Sequence, residues 1–281
     1  MKFTRQEMVF NGAFAFMFAG LVVYMVRDGL VSAAVEPCSQ RYHSPTEFTL
    51  DNGAGPMSVV QLVGHIGTSQ RGVYRNAKVV KVRGVDSGRA LKVVLRASDG
   101  EASGIRFRWS PRELEGATSA CLSYSVYLPK KFEFGAGGFL PGLYTGERSR
   151  QGVSSDVDGS VMQRVEWQDD GRGGLTMQSK VDGEIKLRAV GIERFDLPRW
   201  RWVSIEQELV LNKDGKRNGQ ARLFIDGQKV VDNRQSKLRK SNGFAIGGVR
   251  ADIGYSNLHR AAKPPANANS IYVSRMKLRW K

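Results

Sequence analysis

Leu122-Ser-Tyr-Ser-Val-Tyr-Leu128 alternates with a period of two: Leu122, Tyr124, Val126 and Leu128 fall on one face, Ser123, Ser125 and Tyr127 on the other. Successive side chains of a strand point to opposite faces of its sheet, so this stretch reads as a strand with one face against a core. Working outward from it, comparable short runs occupy 90–96, 105–109, 161–167, 175–181, 184–190, 202–211, 221–225 and 271–280. Asp99-Gly100, Asp158-Gly159, Asp170-Gly171, Asp182-Gly183, Asp214-Gly215, Asp226-Gly227 and Asn242-Gly243 punctuate the series. Such dipeptides supply the positive-φ positions that tight hairpins need. No long amphipathic helix, internal repeat or second-domain linker appears after the amino terminus. Many short antiparallel strands in one body predict an all-β sandwich or barrel.

The composition agrees. With 41% hydrophobic and 25% charged residues in 281, wholesale disorder is excluded. Thirty-two glycines without a fixed period exclude collagen and suit a turn-rich fold. Two cysteines and three histidines, widely spaced, exclude a zinc ribbon, a zinc finger and a disulfide-dense miniprotein. Cys38 and Cys121 can form one disulfide closing a long loop, or remain two thiols; neither has catalytic or metal-ligand spacing. Forty-three basic residues against 27 acidic give a net charge of +16, which favours polyanions.

The amino terminus points to export. Lys2 and Arg5 precede residues 8–26, apolar apart from Asn11, Gly12 and Gly20. As a helix this run would be about 28 Å long, close to one hydrocarbon core. Positive charge before the run predicts a cytoplasmic amino terminus and an exported remainder. Ser32 and Ala34 offer a small-residue cleavage site, so residues 1–34 are either a signal peptide or an uncleaved anchor. The expected location is the periplasm, free or tethered to the inner membrane, or the exterior if cleavage releases the chain. Residues 35–60 read as a tether and first edge strand, and 61–281 as the β body.

Leu122–Tyr144 also contains Leu-Pro-Lys-Lys-Phe-Glu-Phe-Gly-Ala-Gly-Gly-Phe-Leu-Pro-Gly-Leu-Tyr, which resembles a signature of polysaccharide lyase family 14. Arg164-Val-Glu-Trp167 is similar to that family's Ser-x-Arg-x-x-Trp strand. Trp202-Val-Ser-Ile-Glu-Gln-Glu-Leu-Val-Leu-Asn212 is similar to its Trp-x-x-Ile-Glu-Gln strand. Asn218-Gly219 and Phe224-Ile-Asp-Gly227 match its turns. The resemblance spans roughly residues 88–280. It implies a concanavalin-like β-jelly roll, preceded here by the amino-terminal hydrophobic helix, whose concave sheet forms a groove. It also implies cleavage of uronate polysaccharides, chiefly alginate and glucuronan, by β-elimination.

That reaction neutralises the uronate carboxylate, removes the C5 proton and protonates the leaving O4. A planar guanidinium can hold the carboxylate and stabilise the developing charge, so neither a metal nor another cofactor is required. Arg164 falls at the family's catalytic arginine and is expected to be the carboxylate clamp. The catalytic lysine position is Phe139, expected to pack or to stack on sugar; the serine position is Met162, and the Tyr-x-Tyr pair falls near Thr176 and Gln178. Tyr144 and Lys180 are the candidates for the base. Arg148, Arg150, Glu166, Gln178, Lys186, Arg188 and His259 are candidate substrate contacts. Glu166 has no second carboxylate at fixed spacing, which argues against a glycosidase. Residues 213–240 carry nine basic residues against three acidic, and Arg275, Lys277 and Arg279 share one face of the last strand. The expected partner is an acidic polysaccharide, with the membrane a second if the amino-terminal segment stays; nucleic acid is not expected. Two functions stay open: an exported lyase, and a tethered, non-catalytic binder of an anionic polysaccharide.

Overall fold

The computed structural model describes residues 35–43, 45–66, 70–96, 103–149, 152–154, 157–190, 195–239, 243–256 and 267–281. The signal or anchor segment, including its expected helix, lies outside them. Among the described residues no helix is long and apolar enough to cross a membrane. In chain order the first strands are β1 (Thr46–Phe48), β2 (Gln70–Arg71), β3 (Ala77–Lys81), β4 (Arg89–Leu95), β5 (Ile105–Trp109) and β6 (Ser119–Tyr127). There follow β7 (Gly138–Ser149), β8 (Gly152–Ser154), β9 (Val161–Trp167), β10 (Arg172–Val181), β11 (Glu184–Ala189) and β12 (Phe195–Asp196). The last are β13 (Trp202–Val210), β14 (Gly219–Ile225), β15 (Gln228–Ser236), β16 (Phe244–Tyr255), β17 (Asn269–Ser274) and β18 (Met276–Trp280). Helices are short: α1 (Cys38–Arg41), α2 (Val59–Ile66) and α3 (Val73–Asn76).

Two antiparallel nine-stranded sheets form a β-sandwich of the jelly-roll kind. Sheet one runs β15-β14-β13-β6-β17-β4-β3, with β18 also beside β6 and β1 outside β18. Sheet two runs β11-β10-β9-β7-β16-β5-β2, with β12 on β10 and β8 on β7. The opening alternation is realised in β6: Leu122, Tyr124 and Val126 are buried, while Ser123, Ser125 and Tyr127 are half-exposed. One core holds the inward faces of both sheets, including Phe48, Leu122, Phe132, Leu143, Val165 and Trp167. Each such side chain contributes about 1.5–3 kcal/mol by leaving water. The Asp182-Gly183 and Asp226-Gly227 hairpins place both central residues at positive φ, as two-residue turns demand.

Four features are not given by the local sequence pattern. The run 271–280 is two strands broken at Arg275: both lie along one edge of β6, but the register slips by a residue, Tyr272 pairing with Tyr127 and Lys277 with Ser123. At the slip Ser274 Oγ accepts the Ser125 N–H at 2.7 Å. Leu140-Pro-Gly-Leu143, whose Pro-Gly pair reads locally as a turn, lies within β7, with a register shift between Phe139 and Gly142. Pro141 cannot donate to the ladder, and its carbonyl points inward, accepting from Tyr124 Oη at 3.0 Å and Gln207 Nε2 at 2.6 Å. Lys186 and Arg188 do not share the face of Gln178 and Lys180. The tight hairpin pairs Val181 with Glu184 and Lys180 with Ile185, so Ile185 and Leu187 take that face. Finally, Arg275, Lys277 and Arg279 sit on the outer face of sheet one, away from Arg164 on sheet two.

Cys38 and Cys121 are joined, with Cα atoms 5.7 Å apart and a sequence separation of 83. The bridge ties α1 to β6. Beside it Glu208, 1% exposed in its side chain, accepts two hydrogen bonds from Arg41, one from Arg222 and one from Tyr42 Oη.

Candidate functional site

Strand β9 positions the site. Val161, Val165 and Trp167 point into the core, leaving Met162, Arg164 and Glu166 on the outward face of sheet two. Gln163 also points inward, where its Nε2 donates to the Glu208 carbonyl of sheet one at 3.2 Å. This bond accounts for an amide in an otherwise apolar row.

Arg164 lies in register with Gly142 of β7 and Thr176 of β10. Gly142 is required there: a Cβ would come 2.6 Å from the Arg164 Cβ. The guanidinium carbon sits 3.4 Å from the Phe139 ring centroid, a cation–π contact. Its nitrogens meet Glu166 Oε1 at 3.3 Å and Asp252 Oδ2 at 3.7 Å. Only 7% of the side chain is exposed. Burial pulls the guanidinium pKa below its ordinary value, and the two carboxylates oppose that pull. Arg164 is therefore a charged post beneath Phe139, already occupied by carboxylates of this chain.

The adjoining strands present more basic groups. Arg250 of β16 stands opposite Gly142 on one side and Arg108 of β5 on the other; Asp252 stands opposite Arg106, itself opposite Arg71. Arg71, Arg106, Arg108, Arg250 and Asp252 line an open depression of about 300 Å³. Arg250 bonds Asp252 through Nε, and its two terminal nitrogens make no other hydrogen bond among the described residues. The same Arg250 walls a second cavity of about 150 Å³ with Tyr144, Met162, Gln178, Lys180 and Ile185. The Tyr144 ring lies across Gly247, where a Cβ would approach it to 2.2 Å, and the Arg108 guanidinium carbon is 5.9 Å from its centroid. Burial pushes the Tyr144 phenol up, against smaller opposing effects of a Ser110 hydrogen bond and the Arg108 and Arg250 charges. Tyr144 is thus held protonated, a proton donor rather than a phenolate.

The structure brings the sequence candidates into two groups. Phe139, Arg164 and Glu166 form the closed post; Tyr144, Gln178 and Lys180 share the small cavity. Lys186 and Arg188 are turned away, and Arg188 instead reaches the Met177 sulfur at 3.5 Å. Arg148 pairs with Val153 in the β7–β8 ladder. Arg150 and His259 lie outside the described residues. Arg71, Arg106, Arg108, Arg250 and Asp252 were missed as candidates. Their signal was an alternation of charged and apolar residues in 105–109 and 249–253, which reads as an ordinary strand until its neighbours are known. Among the described residues, Cys38, Cys121 and Glu206 cluster within metal-ligand distance, but the two sulfurs are bonded to each other.

The model of the family Polysaccharide lyase 14 matches residues 87–272. No curated protein matches the chain. In structure it is similar to the marine PL-14 alginate lyase from Aplysia kurodai, with 20% identity and a TM-score of 0.65 over 80% of this chain and 95% of that one. An alginate lyase from Chlorella virus gives 17% identity and a TM-score of 0.64, over 85% and 100%. The endo-β-1,4-glucuronan lyase from the fungus Trichoderma reesei gives 8% and 0.51, over 73% and 87%. At these identities the structural likeness establishes the fold.

Proposed function

The chain belongs to polysaccharide lyase family 14, and from that membership we propose that it is an exported protein acting on an acidic, uronate-bearing polysaccharide by β-elimination. The observation that carries the proposal is the convergence of Tyr144, Lys180 and Arg250 on one small cavity of the outward face of sheet two. Arg250 presents its terminal nitrogens to a uronate carboxylate, with Arg108, Arg106 and Arg71 continuing the basic track along the sheet. Arg164 takes the supporting part: with Glu166 and Asp252 it fixes the strand faces around Arg250. Lys180 withdraws the C5 proton. The electrons form the C4–C5 double bond as the C4–O4 bond breaks, and the protonated Tyr144 phenol supplies the proton to O4. Alginate and glucuronan, the substrates named for the neighbouring folds, are the polymers to try first. The Cys38–Cys121 disulfide supports export, since such bonds persist in oxidising compartments.

A second reading is a non-catalytic binder of the same polymer. It is favoured by the sealing of Arg164 under Phe139 and between two carboxylates, which leaves the family's arginine position closed. The decisive experiment follows absorbance at the unsaturated-uronate band with alginate, glucuronan and other acidic polysaccharides. A rise that Arg250→Ala lowers by about 10²-fold or more, the usual cost of removing a transition-state charge stabiliser, supports turnover. A flat trace with salt-releasable retention on one polymer selects the binder. A flat trace without retention on any of them overturns both.

A further inference from the structure

The outer face of sheet one, opposite the proposed elimination site, carries a further cavity of about 280 Å³. Its floor is a patch of hydroxyls: Ser125 of β6 lies in register with Ser204 of β13, and Ser123 with Glu206 and Lys277. One register position further along the same face stands a row of rings. Trp202 is paired with Tyr127, and Tyr127 with Tyr272, the centroids being 5.5 and 5.9 Å apart. All three rings are half-exposed. Trp202 is held in place, because its Nε1 donates to the Arg83 carbonyl at 2.8 Å and Gly84 packs against its edge, where a Cβ would come within 2.8 Å of the ring.

Two of the three cations of this cavity are already matched by carboxylates. Arg275 pairs with Glu47 at 2.7 Å and Lys277 with Asp86 at 3.4 Å. Arg279 donates to Ser123 Oγ, and Glu206 accepts from the backbone and hydroxyl of Ser39. The Ser125 and Ser204 hydroxyls make no hydrogen bond among the described residues. A ring row beside unengaged hydroxyls and largely paired charge suits a ligand with C–H faces and a rim of hydroxyls. The electropositive C–H groups of a pyranose meet the negative faces of aromatic rings, while its hydroxyls meet serines. A free anion gains less where Arg275 and Lys277 are already paired with carboxylates.

We propose that this face is a second saccharide-binding site, taking a neutral stretch of polysaccharide on the side of the sandwich opposite the uronate site. Because Trp202 is fixed beforehand by Arg83 and Gly84, less ordering is required on binding. The site differs from the basic track of sheet two in one measurable respect: its affinity does not depend on released counterions, so salt leaves it in place.

The test is calorimetric titration of the protein with cellohexaose, mannohexaose and maltohexaose in 0.05 and 0.5 M salt (about the extremes over which screening changes). The expected result is binding of at least one hexasaccharide with the same affinity at both salt concentrations. Tyr272→Ala and Ser204→Val, each checked for an unchanged melting temperature, should each weaken it about tenfold. Arg250→Ala should not. Absence of binding to all three, loss of binding in high salt, or an affinity that both variants leave intact would overturn the proposal. None of these results bears on elimination at the other face, which is read by absorbance.

Discussion

Arg164 shows how neighbouring side chains limit what a residue can do. With Phe139 lying over it, its guanidinium is desolvated and neutralised within the chain by Glu166 and Asp252. Removing it takes a shared cation from between two nearly buried carboxylates, of which Asp252 keeps Arg250, so Arg164→Ala should cost about 3 kcal/mol of stability. Urea unfolding measures this; a loss below about 1 kcal/mol would mean the two acids are solvated without it. Arg164 and Phe139 could be found in the sequence because they stand inside a recognisable motif. Arg250 could not: Gly247-Gly248 precede it, and a glycine pair reads as a loop. In the fold Gly247 is the floor beneath Tyr144 and Gly248 holds a φ of 125° at a register shift, so the glycines that hid the strand are also what let it pass under the ring.

Among the elements, hairpins were the most legible and long-range strand neighbours the least. Asp226-Gly227 joins β14 to β15 with φ values of 49° and 78°, and a Cβ on Gly227 would meet nothing within 4 Å. Gly227→Ala is therefore a pure backbone substitution and should cost about 1–2 kcal/mol, read from the shift in denaturation midpoint; an unchanged midpoint would show that the turn relaxes at no cost. Turn chemistry is local and so visible in a dipeptide. The membership of β7 in the middle of sheet two was not, since Leu140-Pro-Gly-Leu143 holds two residues that normally end strands. It survives because the Pro141 carbonyl is bound from the opposite sheet by Tyr124 and Gln207, a tertiary payment no local pattern displays. The turned faces of Lys186 and Arg188 have the same origin: a single position of register decides them, and only the geometry of the Asp182-Gly183 turn sets it.

At the scale of the molecule, the outer face of sheet one is fastened by an ion network and a disulfide. Burial alone would push the Glu208 carboxyl up, but hydrogen bonds from Arg41 and Arg222 hold it below its ordinary value; Asp232, bonded by Arg234, Lys229 and Arg222, is held well below the carboxylate range. Groups depressed in this way add stability above the unfolded-state value near pH 4, and that stability is lost as pH falls toward the folded-state values. The melting temperature should therefore drop steeply below about pH 4, and less steeply in Glu208→Gln; equal slopes would place the acid sensitivity elsewhere. The all-β body and its basic excess were readable from composition and alternation, whereas this network joins residues 41, 208, 222 and 232, a pairing that no spacing announces.

The two inward amides have a mechanical consequence. Gln163 of sheet two donates to Glu208 of sheet one, and Gln207 of sheet one donates to Pro141 of sheet two. They work as opposed dowels through an oily laminate. Sliding one sheet along the other by a single residue, about 3.3 Å, would pull both out and leave their partners dry and unbonded. A sandwich pinned in this way resists shear, so a load placed on one of its faces is passed to the other as through a stiff plate.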